Sequence, residues 1–291
     1  MSEITFRVLG PVELLRDGMP VPLGGNTTLA LLGGLLSSPN RVVPVSTILE
    51  WLWDGKLPEH PRAALHNGVS RVRRLVGAGA LQAHAGGYSL LAHAGNLDLL
   101  RFEQLREAAR NAVLRGAAVD AVTALDEAVG LWQEPLLSNV RSAALRGDVV
   151  PQLTERYLAA VEERASLYIR LGRSDAITNH LSAVVSRHPF RERLVGQLMA
   201  ALTRSGRRAD AIGAYTALRR ILREELGIDP GVEVQGLLVK ILREDPGALN
   251  GRRPSADPVG NREGRRVPVA DHPAAAADRV DMQIAAAELH P

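Results

Sequence analysis

The sequence predicts a mainly α-helical fold with a small β component, and three observations predict it. Period-two apolar alternation, with the turn dipeptides that close hairpins, is confined to the stretch before Asn26 and to the surroundings of Gly86-Gly87. Helical apolar spacing fills most of the rest, up to about Arg243. Within that span a glycine-to-alanine turn recurs at Gly116 to Ala121, Gly172 to Ala176 and Gly206 to Ala211, as repeated helix hairpins require.

Taken in order, Ile4, Phe6 and Val8 alternate with Thr5 and Arg7, which predicts a half-buried strand. Gly10-Pro11 and Asp17-Gly18 are turns, and Val12, Leu14, Val21 and Leu23 supply two further short strands. Asn26 or Thr27 can cap a helix with the row Leu29, Leu32, Leu36; Gly33-Gly34 weakens it and Ser38-Pro39 ends it. A second helix from Ser46 turns Ile48, Leu49 and Leu52 inward and stops at Asp54-Gly55. Pro58 and Pro61 open a third, ending at Gly77, and ALQAHAGGYSLL then reads as a hairpin. From Asp98 onward only helices are expected. Gly172 and Gly206 lie 34 residues apart, the tetratricopeptide (TPR) period, with Tyr215 where an aromatic is wanted, but Gly116 and Gly172 are 56 apart. After Pro246 the chain is rich in proline and glycine and is expected to be a disordered tail, with 274–290 a marginal helix. The expected divisions are 1–95, 96–245 and 246–291.

Composition excludes several classes. With 291 residues, 46% of them apolar, each half can bury a core without staples, and the absence of cysteine removes disulfides, thiolate metal sites and thiol nucleophiles. No apolar run reaches the roughly 18 residues of a membrane span, and the N-terminus lacks a signal layout, so a cytoplasmic, nucleoid-associated protein without membrane contact is expected. No H-E-x-x-H, G-x-S-x-G or G-x-x-x-x-G-K-[ST] motif occurs; neither catalysis, nor a metal, nor any cofactor is expected.

The informative stretch is ALHNGVSRVRRLVG, 64–77. Leu65, Val69, Val72 and Val76 share one helical face, with Gly68 beside them, where a missing side chain permits close approach of another element. Asn67, Ser70, Arg71 and Arg74 lie roughly opposite; His66 and Arg73 flank that face and Arg62 sits near the helix start. No acidic residue occurs from His60 through Leu97, so the charge is not neutralised locally. A solvated helix paired with distant carboxylates is the bland alternative. Three helices followed by a glycine-turned hairpin, however, is the winged helix-turn-helix plan, whose third helix enters the major groove. There Arg71 and Arg74 can bond guanine O6 and N7, Arg62 and Arg73 suit phosphates, and Asn67 and Ser70 suit adenine or bridging water. If Arg62, Arg71, Arg73 and Arg74 all meet phosphates, log K falls against log salt with a slope of about −3.6 per subunit.

These residues resemble the SARP family, the Streptomyces antibiotic regulatory proteins, over most of the chain. The resemblance rests on FRVLGPVEL (6–14), PLGG (22–25), Leu52-Trp53, VSRVRRLVG (69–77) and GGYSL (86–90), then LDLLRFEQL (97–105), LWQEPL (131–136), HPFRERLVGQLMAAL (188–202) and EELGIDPG (224–231). It implies an OmpR-like winged helix-turn-helix domain followed by an all-α, TPR-like bacterial transcriptional activator domain. The implied function is an activator of a biosynthetic (antibiotic or secondary-metabolite) gene cluster. Such a protein binds direct repeats in promoter double-stranded DNA, as a homodimer on the DNA, and recruits RNA polymerase through its sigma factor or alpha subunit. The family commonly has a lysine and an arginine at the start of the first helix, after PLGG; here Asn26-Thr27-Thr28-Leu29 stands there, and the Thr27 and Thr28 hydroxyls with the helix amides can still bond a phosphate without the two charges. Bulkier residues than His66-Asn67-Gly68 are also expected ahead of VSR. His66 and the wing glycines Gly86 and Gly87 complete the expected DNA-binding set. The rival reading is a TPR-like scaffold for protein interactions without DNA binding.

Overall fold

Alternation at the N-terminus produces β1 (Ile4–Arg7), and the Asp17-Gly18 turn closes β2 (Glu13–Arg16) on β3 (Met19–Pro20) in one antiparallel sheet, ordered β1-β2-β3. Both turn residues have positive φ, 51° and 78°, as a two-residue hairpin of this kind demands. The computed structural model describes residues 3–77 and 79–243; the tail expected from residue 246, with its 274–290 run, lies outside the described residues. The third strand begins directly after the turn, earlier than Val21 and Leu23 suggested, because pairing follows from the turn (Leu15 opposite Pro20) and not from apolarity.

Helix α1 (Asn26–Ser37) is capped by the backbone of Gly25 without a side-chain bond, and Asn26 instead accepts the Arg141 amide at 2.8 Å. Its expected apolar row is only part of what it buries. Thr28 and every residue from Ala30 to Leu36 are buried, because the helix is enclosed on more than one side. A two-residue strand, β4 (Val43–Pro44), leads into α2 (Val45–Trp53), which buries Ile48, Trp51 and Leu52. Then follow α3 (Pro61–Val76), β5 (Leu81–His84) and β6 (Gly87–Leu90), the last two forming the expected hairpin and, with β4, a sheet ordered β4-β6-β5.

Seven helices complete the described chain: α4 (Asp98–Leu114), α5 (Ala118–Gly130), α6 (Ala143–Arg170), α7 (Asp175–Arg187), α8 (Glu192–Arg204), α9 (Arg208–Leu226) and α10 (Val232–Arg243). The three recurrent glycines end α4, α6 and α8 at φ of 74°, 70° and 74°. Each closes the same double bond. For Gly172, its amide donates to the Ile169 carbonyl and the next amide, of Arg173, to Tyr168, and Gly116 and Gly206 repeat the pattern. The hairpins α4–α5, α6–α7 and α8–α9 are therefore one device used three times. The long first interval arises from the segment 131–142 and from the 28-residue α6.

That extra length joins the two halves. The Trp51 indole donates to Asp148 of α6 at 2.8 Å, and Asp54, just past α2, accepts Ser142 Oγ and the Ala144 amide at the start of α6. Those bonds hold the Asp54 carboxyl below its usual range, the Ala144 amide contributing most. The Asn139 amide donates to and accepts from Val12, and the Gln133 and Leu137 amides donate to the carbonyls of Leu9 and Gly10. Asp98 receives the amides of Val8, Leu9 and Leu99; burial pushes its carboxyl up to about 6 against the pull of those three donors. The apolar residues of both halves form one continuous core, with Leu145 of α6 packed beside the Gly33-Gly34 pair of α1. No helix among the described residues is long and apolar enough to cross a membrane.

Candidate nucleic-acid interface

Pro61 occupies the first turn of α3, where its missing donor costs nothing and its φ is already helical. Leu65, Val69, Val72 and Val76 are buried against the core, each contributing roughly 1.5–3 kcal/mol and together fixing which way the opposite face points. The C-terminal turn carries Arg73 and Arg74, favourable to the helix dipole, and Arg16 of β2 donates to the Leu75 carbonyl at 3.0 Å. Arg16 is a cation at the end of α3 that sequence reasoning missed, because no local pattern links residue 16 to residue 75.

Gly68 is buried, but its surroundings are less tight than the close approach expected for it. A Cβ there would lie 3.6 Å from Thr27 Cγ2 and 3.7 Å from Leu31 Cδ2, ordinary van der Waals contact. Gly68→Ala is therefore expected to stabilise the protein by about 1 kcal/mol through helix propensity, read as a raised midpoint in thermal unfolding. An unchanged or lower midpoint would refute the fit.

The outward face carries Arg62, His66, Asn67, Ser70, Arg71 and Arg74, all exposed. Among the described residues no carboxylate forms an ion pair with Arg62, Arg71 or Arg74, whereas most arginines of α4 to α9 that bear charge outward do find one, as Arg101 finds Glu127 at 2.7 Å. Arg73 differs: it is half-buried and its Nε–H donates to the Leu81 carbonyl at 3.2 Å, tying α3 to the first strand of the wing. Its best-supported role is thus to fix the angle between helix and wing.

Two expected site residues are placed away from solvent. Thr28 is fully buried, so its hydroxyl cannot reach a phosphate, and only Thr27, half-buried at the start of α1, remains available of the pair. Gly87 is buried in the β4–β6 pairing, where a Cβ would come within 2.3 Å of the Val43 carbonyl oxygen; it is glycine for strand approach. Gly86 is exposed at the tip, at φ 145°. A groove of about 340 Å³ between α3 and the wing is lined by Arg62 and His66 on one side and His84 and Gly86 on the other. His84, also missed, is held there by Ser89 Oγ at 2.8 Å.

The arrangement is a rigidly mounted helix with cations and short amphoteric side chains outward, beside a hairpin whose tip borders the same groove. The sequence matches the bacterial transcriptional activator domain over residues 97–242. It is 34% identical over 251 residues to the transcriptional regulatory protein EmbR of Mycobacterium tuberculosis, covering 84% of this chain and 65% of that protein, so the chain spans about two-thirds of EmbR's length. It is 32% identical to the regulatory protein DnrI of Streptomyces peucetius, covering 83% of this chain and 93% of DnrI. The solved structure of Mycobacterium tuberculosis EmbR in complex with a low affinity phosphopeptide superposes with a TM-score of 0.76 at 33% identity, over 85% of this chain and 68% of that one. With the same architecture as EmbR and similarity over nearly all of DnrI, the chain belongs to the SARP family of transcriptional regulators.

Proposed function

We propose that the chain is a sequence-specific DNA-binding transcriptional activator of a biosynthetic gene cluster, binding direct repeats in promoter DNA as a homodimer and recruiting RNA polymerase. The observation that carries this reading is the outward face of α3, where Arg62, Arg71 and Arg74 stand exposed without a carboxylate partner among the described residues. A helix about 10–12 Å across fits a major groove about 12 Å wide, and the arginine fork matches the two acceptors of guanine. In this reading Arg71 and Arg74 reach base edges, Asn67 and Ser70 contact neighbouring bases, and Arg62 with His66 and the wing tip at Gly86 meets the backbone. Thr27 offers a hydroxyl near the start of α1. Direct repeats about one helical turn apart place two copies on the same side of the duplex. The division into a DNA-binding part, 1–95, and an activator part, 96–245, belongs to this proposal, with the two parts held as one body by the contacts of α6.

Salt titration of duplex binding tests it. With Arg73 engaged by the wing and Arg71 and Arg74 on base edges, Arg62 contributes about −0.9 per subunit to the slope of log K against log salt, and a slope near −2.7 would place all three arginines on phosphates instead. Absence of duplex affinity at low salt would sink the reading and leave the scaffold.

A further inference from the structure

A groove of about 540 Å³ opens between the later halves of α4 and α6, with Arg193 of α8 at one end. Its floor is apolar: Ala109, Leu125 and Leu167 are each 2% exposed, and beside them Val113 stands 40% and Leu114 84% exposed. Arg110, Arg170 and Arg193 make the rim basic. The rim's one carboxylate, Glu163, is already held by Arg106 at 2.7 Å. Arg170 has no ion pair or side-chain hydrogen bond among the described residues, and Arg110 and Arg193 meet their carboxylates only at 3.6 and 3.4 Å. The Arg110–Glu107 pair is exposed on both sides and exchanges readily for a better placed anion. Helices α4, α6 and α8 are the first members of the three hairpins, so the groove follows one face of the repeat array. A second cavity of about 220 Å³, between α8 and α10, adjoins it at Arg193 but carries the carboxylates Glu192 and Glu233, so the cationic rim ends there.

A groove with an apolar floor and a cationic rim suits a segment that carries both apolar and acidic side chains. Duplex DNA would offer phosphates to the rim and nothing to the floor. We propose that this groove docks an acidic segment of a protein partner, with a large apolar side chain seated on Val113 and Leu167 and its carboxylates paired with Arg110 and Arg170. This deepens the activator reading, on which it rests, by giving the helical part a contact surface separate from α3.

The test titrates the full chain into a fluorescein-labelled peptide alternating glutamate and leucine, and into its lysine-for-glutamate counterpart, read by anisotropy. The acidic peptide is expected to bind and the basic one not. Arg110→Glu combined with Arg170→Glu should weaken the acidic peptide by about tenfold or more, with the unfolding midpoint and duplex affinity unchanged. Equal binding of both peptides, or undiminished binding by the charge-reversed protein, overturns the proposal. Displacement of the peptide by duplex DNA would reassign the groove to nucleic acid and also overturns it. Failure of the DNA-binding reading is separable, because it appears as lost duplex affinity with peptide binding intact.

Discussion

Arg71→Ala and Arg74→Ala are each expected to weaken binding to the cognate duplex by about 1–3 kcal/mol, a loss of roughly 5- to 150-fold in Kd. Both guanidinium groups are exposed and without an ion pair among the described residues, so neither substitution should move the unfolding midpoint by more than about 0.5 kcal/mol in equivalent stability. That separation of affinity from stability is the point of the experiment. If the two side chains touch phosphates instead of bases, binding weakens uniformly across sequences and each substitution lowers the magnitude of the salt slope by about 1. If they read bases, discrimination at one operator position relaxes with each loss. A Kd unchanged in both variants would remove them from the interface.

The second large effect lies in the joint between the halves. Gly34→Ala should destabilise the protein by about 2 kcal/mol, on the order of a 5 °C fall in melting temperature, although the same change on an open helix surface gains about 1 kcal/mol. A Cβ at Gly34 would sit 2.4 Å from Trp51 Cε3 and 2.6 Å from Cζ3. The ring cannot move aside cheaply, because it is 6% exposed and its Nε1 is bonded to Asp148 of α6, while Leu145 closes the other approach at 3.2 Å. Relief must displace α2 or α6, and with them the support of α3. Trp51→Leu should reduce the additional cost of the alanine; a full-size cost in that background, or none in the parent, contradicts the packing account. Gly34 and Gly68 thus make opposite predictions from the same substitution within one half of the molecule.

Local signals gave most of the secondary structure and the outward face of α3. Asp17-Gly18 announced its hairpin, Pro61 the start of α3, and the three glycine turns the repeated hairpins, since each is decided by backbone preferences within a few residues. What stayed hidden was long-range. Nothing in LEWLWDG shows that Trp51 and Asp54 reach Asp148 and Ser142, about ninety residues away in sequence. The burial of α1 from Ala30 to Leu36 draws on the same distant segment, whose Leu137 and Leu145 lie beside Gly33, and so a one-sided apolar row was expected there. Strand β4, two residues with a proline, carries no alternation to detect, and Gly87 serves its pairing. Three of the stretches that carried the family resemblance meet at the joint: LGP accepts the Gln133 amide of LWQEPL, and Asp98 of LDLLRFEQL holds Val8 and Leu9. They specify how the helix is mounted; of the outward face, Ser70, Arg71 and Arg74 lie within VSRVRRLVG, and His66 and Asn67 are the outward residues that differ from family expectation.

The most direct measurement is a hydroxyl-radical footprint of the full chain on duplex spanning the promoters next to its own gene, repeated with Arg71→Ala/Arg74→Ala. The account predicts protected blocks about one helical turn apart on one side of the DNA, lost in the double variant at equal fold stability. Identical protection by both proteins would contradict it, as would no protection by a folded parent chain.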